Sequence, residues 1–158
     1  MVEPVERSAE RGCTTIHFTN TIHIDRTVGD VYGYLKDLEN TPDWNWAVDE
    51  TTKVSDGPIQ VGTRFHQTRS VPTTSSEQLQ ITALEEDELI EVQGQLATFD
   101  ALLQYRIKPD AGGTLLENEV DLTMPAGTRL LGGLVTKRIR ESVASNLNDL
   151  KMLLESGI

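Results

Sequence analysis

A chain of 158 residues has room for one ordinary domain, and with 37% apolar residues and 12 glycines it can build a core. Against 14 lysines and arginines stand 25 aspartates and glutamates, a formal net charge of −11. That field repels phosphate backbones and anionic membrane surfaces, so nucleic acid is not an expected partner. The acids are scattered, which serves solubility and names no partner of its own.

Cys13 is the only cysteine, so an intrachain disulfide and a cysteine-based zinc site are both ruled out. The chain opens on no signal-peptide pattern, and no apolar run approaches the roughly 20 residues that span a bilayer. A cytoplasmic location without a membrane span is the expectation.

Residues 1–14 carry too few apolar groups to offset the entropy of ordering them and read as a flexible tail before a single domain, 15–156. From Ile16 the pattern alternates, with Ile16, Phe18, Asn20, Ile22 and Ile24 on one face and His17, Thr19, Thr21 and His23 on the other. This predicts a half-buried first strand. Thr27 can cap a short helix carrying Val28, Val31, Tyr32, Leu35 and Leu38 at helical spacing. Pro42 then predicts a second short helix or turn ending near Trp46.

Six further strands follow: Val48 to Val54, Val61 to Val71, Ser75 to Leu84, Leu89 to Gln95, Thr98 to Lys108 and Thr114 to Met124. Separators such as Glu86-Asp87-Glu88 and Pro109-Asp110-Ala111-Gly112-Gly113 are short, which favours an antiparallel meander. Beyond them Leu131, Leu134, Val135, Ile139, Val143, Leu147, Leu150 and Leu154 form one apolar stripe of a helix from Arg129 to Glu155. A helix that long and one-sided needs a broad partner, and the concave face of the sheet supplies it.

The order of strand, two short helices, six strands and long C-terminal helix resembles the superfamily of START domains, birch-pollen-type allergens and polyketide cyclases. The resemblance rests on Ile22-His23-Ile24-Asp25-Arg26-Thr27 leading into Val31-Tyr32, on Asp37-Leu38-Glu39-Asn40-Thr41-Pro42-Asp43-Trp44, and on Gly57-Pro58-Ile59-Gln60-Val61-Gly62-Thr63-Arg64-Phe65. The terminal Asn146-Leu147-Asn148-Asp149-Leu150-Lys151-Met152-Leu153-Leu154 is similar to the end of bacterial cyclase/dehydrase-like members. It covers about Thr15 to Glu155 and implies an α+β helix-grip fold: a curved seven-stranded antiparallel sheet around the last helix, enclosing a cavity. Members include lipid carriers, hormone receptors and aromatase/cyclases, so the resemblance implies a cavity before it implies a reaction.

Strand parity sorts the side chains, because alternate residues face opposite sides of a sheet. Inward fall Phe18, Asn20, Phe65, Gln67, Arg69, Glu77, Phe99, Leu103, Tyr105, Asn118 and Val120, a mostly apolar wall with a few polar anchors. Candidate ligand-binding residues are Asn20, Trp44, Phe65, Gln67, Phe99, Leu103, Asn118 and Val120. Should the protein be a cyclase or dehydratase of the kind the resemblance implies, Arg69 would stabilise an enolate, and Tyr105 or Glu77 would transfer the proton. Against this stands a plainer reading in which Arg69 and Glu77, on adjacent strands, satisfy one another.

His17, His23 and His66 fall on the outward parity without metal-ligand spacing, and no GxSxG, P-loop or dinucleotide fingerprint occurs, so neither metal nor cofactor is expected. Gly132-Gly133 reads either as close packing or as a mobile portal. Two functions follow: binding of a small apolar molecule such as a lipid, isoprenoid or polyketide, with or without metal-free cyclase/dehydratase chemistry, and an interaction module using Leu102 on the outer face. A monomer and a homodimer are both compatible with the pattern.

Overall fold

The computed structural model describes residues 14–71, 73–124 and 132–157. Residues 1–13 of the proposed tail, Cys13 among them, and the first residues of the expected last helix including Leu131 lie outside them, while Thr14, the last residue given to the tail, opens the first strand. Seven strands run in chain order as β1 (Thr14–Ile24), β2 (Val48–Lys53), β3 (Arg64–Arg69), β4 (Ser75–Glu85), β5 (Leu89–Leu96), β6 (Phe99–Asp110) and β7 (Gly113–Met124). Between β1 and β2 stand helix α1 (Val28–Lys36) and a 3-10 helix (Leu38–Asp43), and helix α2 (Gly132–Glu155) closes the chain. All pairings are antiparallel and the order is β1-β7-β6-β5-β4-β3-β2. This is the helix-grip arrangement expected from the sequence.

Thr27 caps α1 as its position predicts, its hydroxyl accepting the Asp30 N–H at 3.2 Å. The next helix starts at Leu38, where Asp37 accepts the Glu39 N–H at 3.1 Å, and ends at Asp43, short of the expected Trp46. Pro42 then sits inside it, and Trp44 N–H closes the turn on the Thr41 carbonyl at 3.2 Å.

β3 is shorter than the expected Val61 to Val71. Gly62 adopts a φ of +94°, and the Thr63 N–H bonds back to the Gln60 carbonyl at 3.0 Å, so the chain is still turning where the strand was expected to start. Register shifts at Val48/Glu50 and Ile81/Ala83 add bends in β2 and β4, and local bends of this kind help a sheet curve.

The two halves of α2 do different work. Leu147, Leu150 and Leu154 are buried against Ile24, Val31, Leu35, Ile107 and Leu116 in the main core. Towards the N-terminal end Val135, Ile139 and Val143 are only half-buried, and Leu134, placed in the stripe by its spacing, is 59% exposed. The helix grips the sheet at its C-terminal end and stands off at its beginning.

The gripping end is tied by polar contacts. Glu155 accepts the Asp25 N–H at 2.8 Å, Lys151 donates to the His23 carbonyl at 2.7 Å and also to Glu155, and Arg26 donates to the Leu154 carbonyl at 2.5 Å. The hydrogen bond from Lys151, followed by that from the Asp25 amide, lowers the Glu155 carboxyl below its usual value.

Candidate ligand-binding site

Where α2 stands off, a cavity of about 460 Å³ opens between it and the sheet. Its walls are the inner faces of β6 and β7, the β5–β6 turn, the segment 44–47, the end of β3 and one face of α2. Trp46 and Val71 line it while 57% and 37% exposed, so they form its rim. Leu147 lies at the opposite, closed end, packed into the main core.

Of the residues singled out by parity and resemblance, Trp44, Arg69, Phe99, Leu103, Tyr105, Asn118 and Val120 line this cavity. Asn20, Phe65, Gln67 and Glu77 do not. Asn20 is drawn sideways to α2, donating to the Arg140 carbonyl at 3.2 Å, while Arg140 donates to the Thr19 carbonyl at 3.3 Å. Phe65 is fully buried in the core. Parity finds the face of a strand, but position along the strand decides whether that face meets the cavity or packed side chains.

Gln67 and Glu77 form a buried polar knot. Glu77, 2% exposed, accepts from Gln67 Nε2 at 2.7 Å, Arg69 Nε at 2.8 Å, the Ala97 N–H at 2.8 Å and Ser75 Oγ at 3.4 Å. Thr51 in turn donates to Gln67 Oε1 at 3.1 Å. A carboxylate with this many donors has few lone pairs left for a substrate. It holds instead two parts of the wall, Arg69 and the β5–β6 turn at Ala97, where the backbone takes a φ of +56°. The terminal amino groups of Arg69 form no hydrogen bond among the described residues and remain available to the cavity.

Tyr105 and Asn118 stand directly opposite one another in the β6–β7 register. Asn118 donates to the Gln104 carbonyl at 3.3 Å. Burial alone pushes the Tyr105 hydroxyl up to about 12, and no partner within the described residues takes it up. From Phe99 at the turn to Tyr105 is roughly 20 Å of strand, so Arg69, level with the turn, and Tyr105 serve different ends of the cavity.

Sequence reasoning missed the polar side of the helix. Arg138, Ser142 and Asn146 each precede an apolar stripe residue, Ile139, Val143 and Leu147, and repeat at intervals of four. That spacing places them on one face beside the stripe and could have found them. Val71 and Ala97 depend on loop paths that no periodicity reports, and Leu96 ends β5 one residue beyond the expected strand.

The histidines lie away from the cavity, as their parity predicts. His17 Nδ1 is 2.6 Å from Asp121 Oδ1, and His23 Nε2 is 3.0 Å from the Asp110 carbonyl. Among the described residues no three His, Cys, Asp or Glu side chains gather where they could hold one metal ion. Also among them, no helix is long and apolar enough to cross a membrane.

Comparison with known proteins agrees with this architecture. The family model described as polyketide cyclase / dehydrase and lipid transport matches residues 15–155, and the chain belongs to that family. Among solved structures, a START superfamily protein from Mycobacterium smegmatis superposes with a TM-score of 0.75 at 15% identity, over 89% of this chain and 97% of that one. Ara h 8.0201 gives 0.71 at 14% identity, over 91% and 100%. The di-domain ARO/CYC StfQ from the steffimycin biosynthetic pathway gives 0.70 at 16% identity over 91% of this chain, which spans 52% of StfQ. Identities this low speak for the fold alone. No curated protein matches the sequence.

Proposed function

We propose that the protein binds a small, largely apolar molecule of the lipid, isoprenoid or polyketide kind in the cavity under α2, as a cytoplasmic protein without nucleic-acid partners. The observation that carries this reading is the cavity itself: about 460 Å³ bounded by Leu103, Val120, Leu122, Ile139 and Val143, with a few polar groups among them. That volume and composition suit a small-molecule pocket. Native mass spectrometry of the gently purified protein, followed by solvent extraction, tests it. The expected result is a stoichiometric apolar molecule; an empty protein that also refuses an environment-sensitive apolar dye would sink the reading and leave the interaction module in its place.

A second, catalytic reading is favoured by the amino groups of Arg69 and the hydroxyl of Tyr105, which line the cavity without a hydrogen-bond partner among the described residues. In a metal-free cyclase/dehydratase, Arg69 would hold a carbonyl or developing enolate near the rim. Tyr105, protonated at neutral pH, would donate a proton at the closed end. The two would act on different positions of an extended substrate, and Glu77 would position Arg69 without itself transferring a proton. The test is turnover of a poly-β-ketone by Arg69→Ala and Tyr105→Phe, with folding followed by circular dichroism. A loss of about a hundredfold for either variant fits the removal of one electrostatic or acid group, and unchanged turnover removes that residue from the chemistry.

A further inference from the structure

We infer that the molecule held in the cavity is an acid, with one carboxylate at the mouth gripped by Arg69 and drawn in by Arg138, and an apolar body running toward the closed end. The inference rests on the binding reading above and gives its ligand a head group.

The chain carries 25 acidic against 14 basic residues. Yet among the described residues the cavity wall holds no Asp or Glu, and its charged members are Arg69 and Arg138. A wall drawn at random from this composition would be acidic. Arg138 is exposed and belongs to the mouth. Among the described residues it forms no salt bridge, whereas its neighbour Lys137 pairs with Glu141 at 3.8 Å.

The side chain of Arg69 is only 13% exposed, and Nε alone is spent on Glu77, at 2.8 Å. The terminal amino groups find no acceptor among the described residues. The one nitrogen or oxygen buried there without a partner is Asn146 Oδ1, so these amino groups keep surface open to the cavity they line. Donors set in an apolar wall are costly unless an acceptor comes to them. The planar fork of a guanidinium matches the two oxygens of a carboxylate. Glu77 offsets the charge of Arg69, and Arg138 leaves the mouth one positive charge in excess, which a single carboxylate completes.

Both arginines belong to the same end of the cavity. The Glu77 Oε1 that accepts from Arg69 Nε also accepts the Ala97 N–H, which fixes Arg69 beside the β5–β6 turn. On the helix, Ile139 follows Arg138 and packs against the same cluster as Leu96 and Phe99, which flank that turn. From there Leu103 and Val143 line the way to Leu147 at the closed end. A carboxylate at Arg69 leaves its hydrocarbon on this path; the reverse orientation would set a charge among apolar side chains with no cation to meet it. A neutral ketone accepts hydrogen bonds from Arg69 but leaves the excess charge unanswered.

The test compares decanoate with 2-undecanone, the methyl ketone of the same outline, each titrated at neutral pH against the full chain by displacement of an environment-sensitive dye. We expect decanoate to bind about tenfold more tightly, the margin of a charge-assisted over a neutral hydrogen bond. An apolar pocket without these arginines would give the opposite order in so acidic a protein, because the acid must shed its water and is repelled. Arg138→Gln, at an exposed position, should cut the ratio of affinities about threefold. Arg69→Gln made together with Glu77→Gln removes both charges of the buried pair, strands neither, and should bring the ratio to about one or below. Equal or weaker binding of decanoate by the unaltered protein, or a ratio that neither variant changes, overturns the inference and leaves the cavity reading intact. Failure of both probes to bind the unaltered protein overturns the cavity reading and this inference together.

Discussion

Glu77 illustrates how much depends on what surrounds a charged group. Parity turns it inward and the resemblance to cyclases makes it a candidate proton carrier, but its carboxylate is buried and engaged by Gln67, Arg69, Ser75 and Ala97. Breaking a buried ion pair by removing one partner strands the other charge, so Glu77→Ala should cost about 3–5 kcal/mol in denaturant unfolding. Arg69→Ala should also destabilise, because it leaves the buried Glu77 carboxylate without its counter-charge, held only by Gln67, Ser75 and the Ala97 N–H. Tyr105 makes a separate prediction. Its ionisation is raised from 10.0 in the unfolded chain to about 12 in the fold, so the unfolded state loses the proton first. The stability this hydroxyl contributes is complete below pH 10 and is lost as pH rises through about 12. Two pH units correspond to about 3 kcal/mol; unfolding midpoints between pH 9 and 12 should therefore fall more steeply in the unaltered protein than in Tyr105→Phe.

Helix α2 is one continuous element with two unequal ends, and substitutions along it should show the difference. Leu150 and Leu154 lie in the packed core, where truncation to alanine should cost about 2–5 kcal/mol. Leu134, at 59% exposure, should accept glutamine within about 0.5 kcal/mol, measured by the same unfolding curves. At Gly133 an added Cβ meets nothing within 4 Å, which disfavours close packing as the reason for this glycine among the described residues. Gly133→Ala should stabilise the helix by about 1 kcal/mol. Were the glycine pair a portal, the same change would also slow ligand exchange, seen in stopped-flow release of a bound dye. Gly94 in β5 behaves oppositely: a Cβ there would lie 2.4 Å from the Gln78 carbonyl and 2.5 Å from Leu79 Cδ2. Gly94→Ala should destabilise by about 1–3 kcal/mol through overpacking.

Sheet and helix together leave a hollow of about 460 Å³, and the chain bears the cost of that unfilled space. Any molecule that fills the hollow should therefore couple strongly to folding. At a hundred times its dissociation constant a ligand adds about 2.7 kcal/mol, which for a domain of this length corresponds to roughly 5–11 °C in the thermal midpoint. Differential scanning fluorimetry with hydroxylated and unsubstituted bicyclic aromatics would read this directly. The net charge of −11 belongs to the exterior and does not enter that balance, so the ligand-induced shift should change little between low and high salt.

Much of this was legible before any coordinates. Alternation in Ile16 to Ile24, the cap at Thr27, the turn at Gly112-Gly113 and the stripe ending in Leu154 are local patterns, set by the periods of strand and helix and by which residues tolerate a turn. They carried the element order, and with it the resemblance and the inward faces. What they could not carry is distance. Gln67 and Arg69 share a strand face, yet one is sealed in a knot with Glu77 and the other borders the cavity. Leu134 and Leu154 share a stripe, yet only one touches the core. Asn146 belongs to the family-like ending, residues 146–154, and only the packed helix buries its oxygen without a partner among the described residues. Those outcomes depend on how far the helix stands from a curved sheet at each point along it, a property of the assembled layers that no one segment of the chain contains.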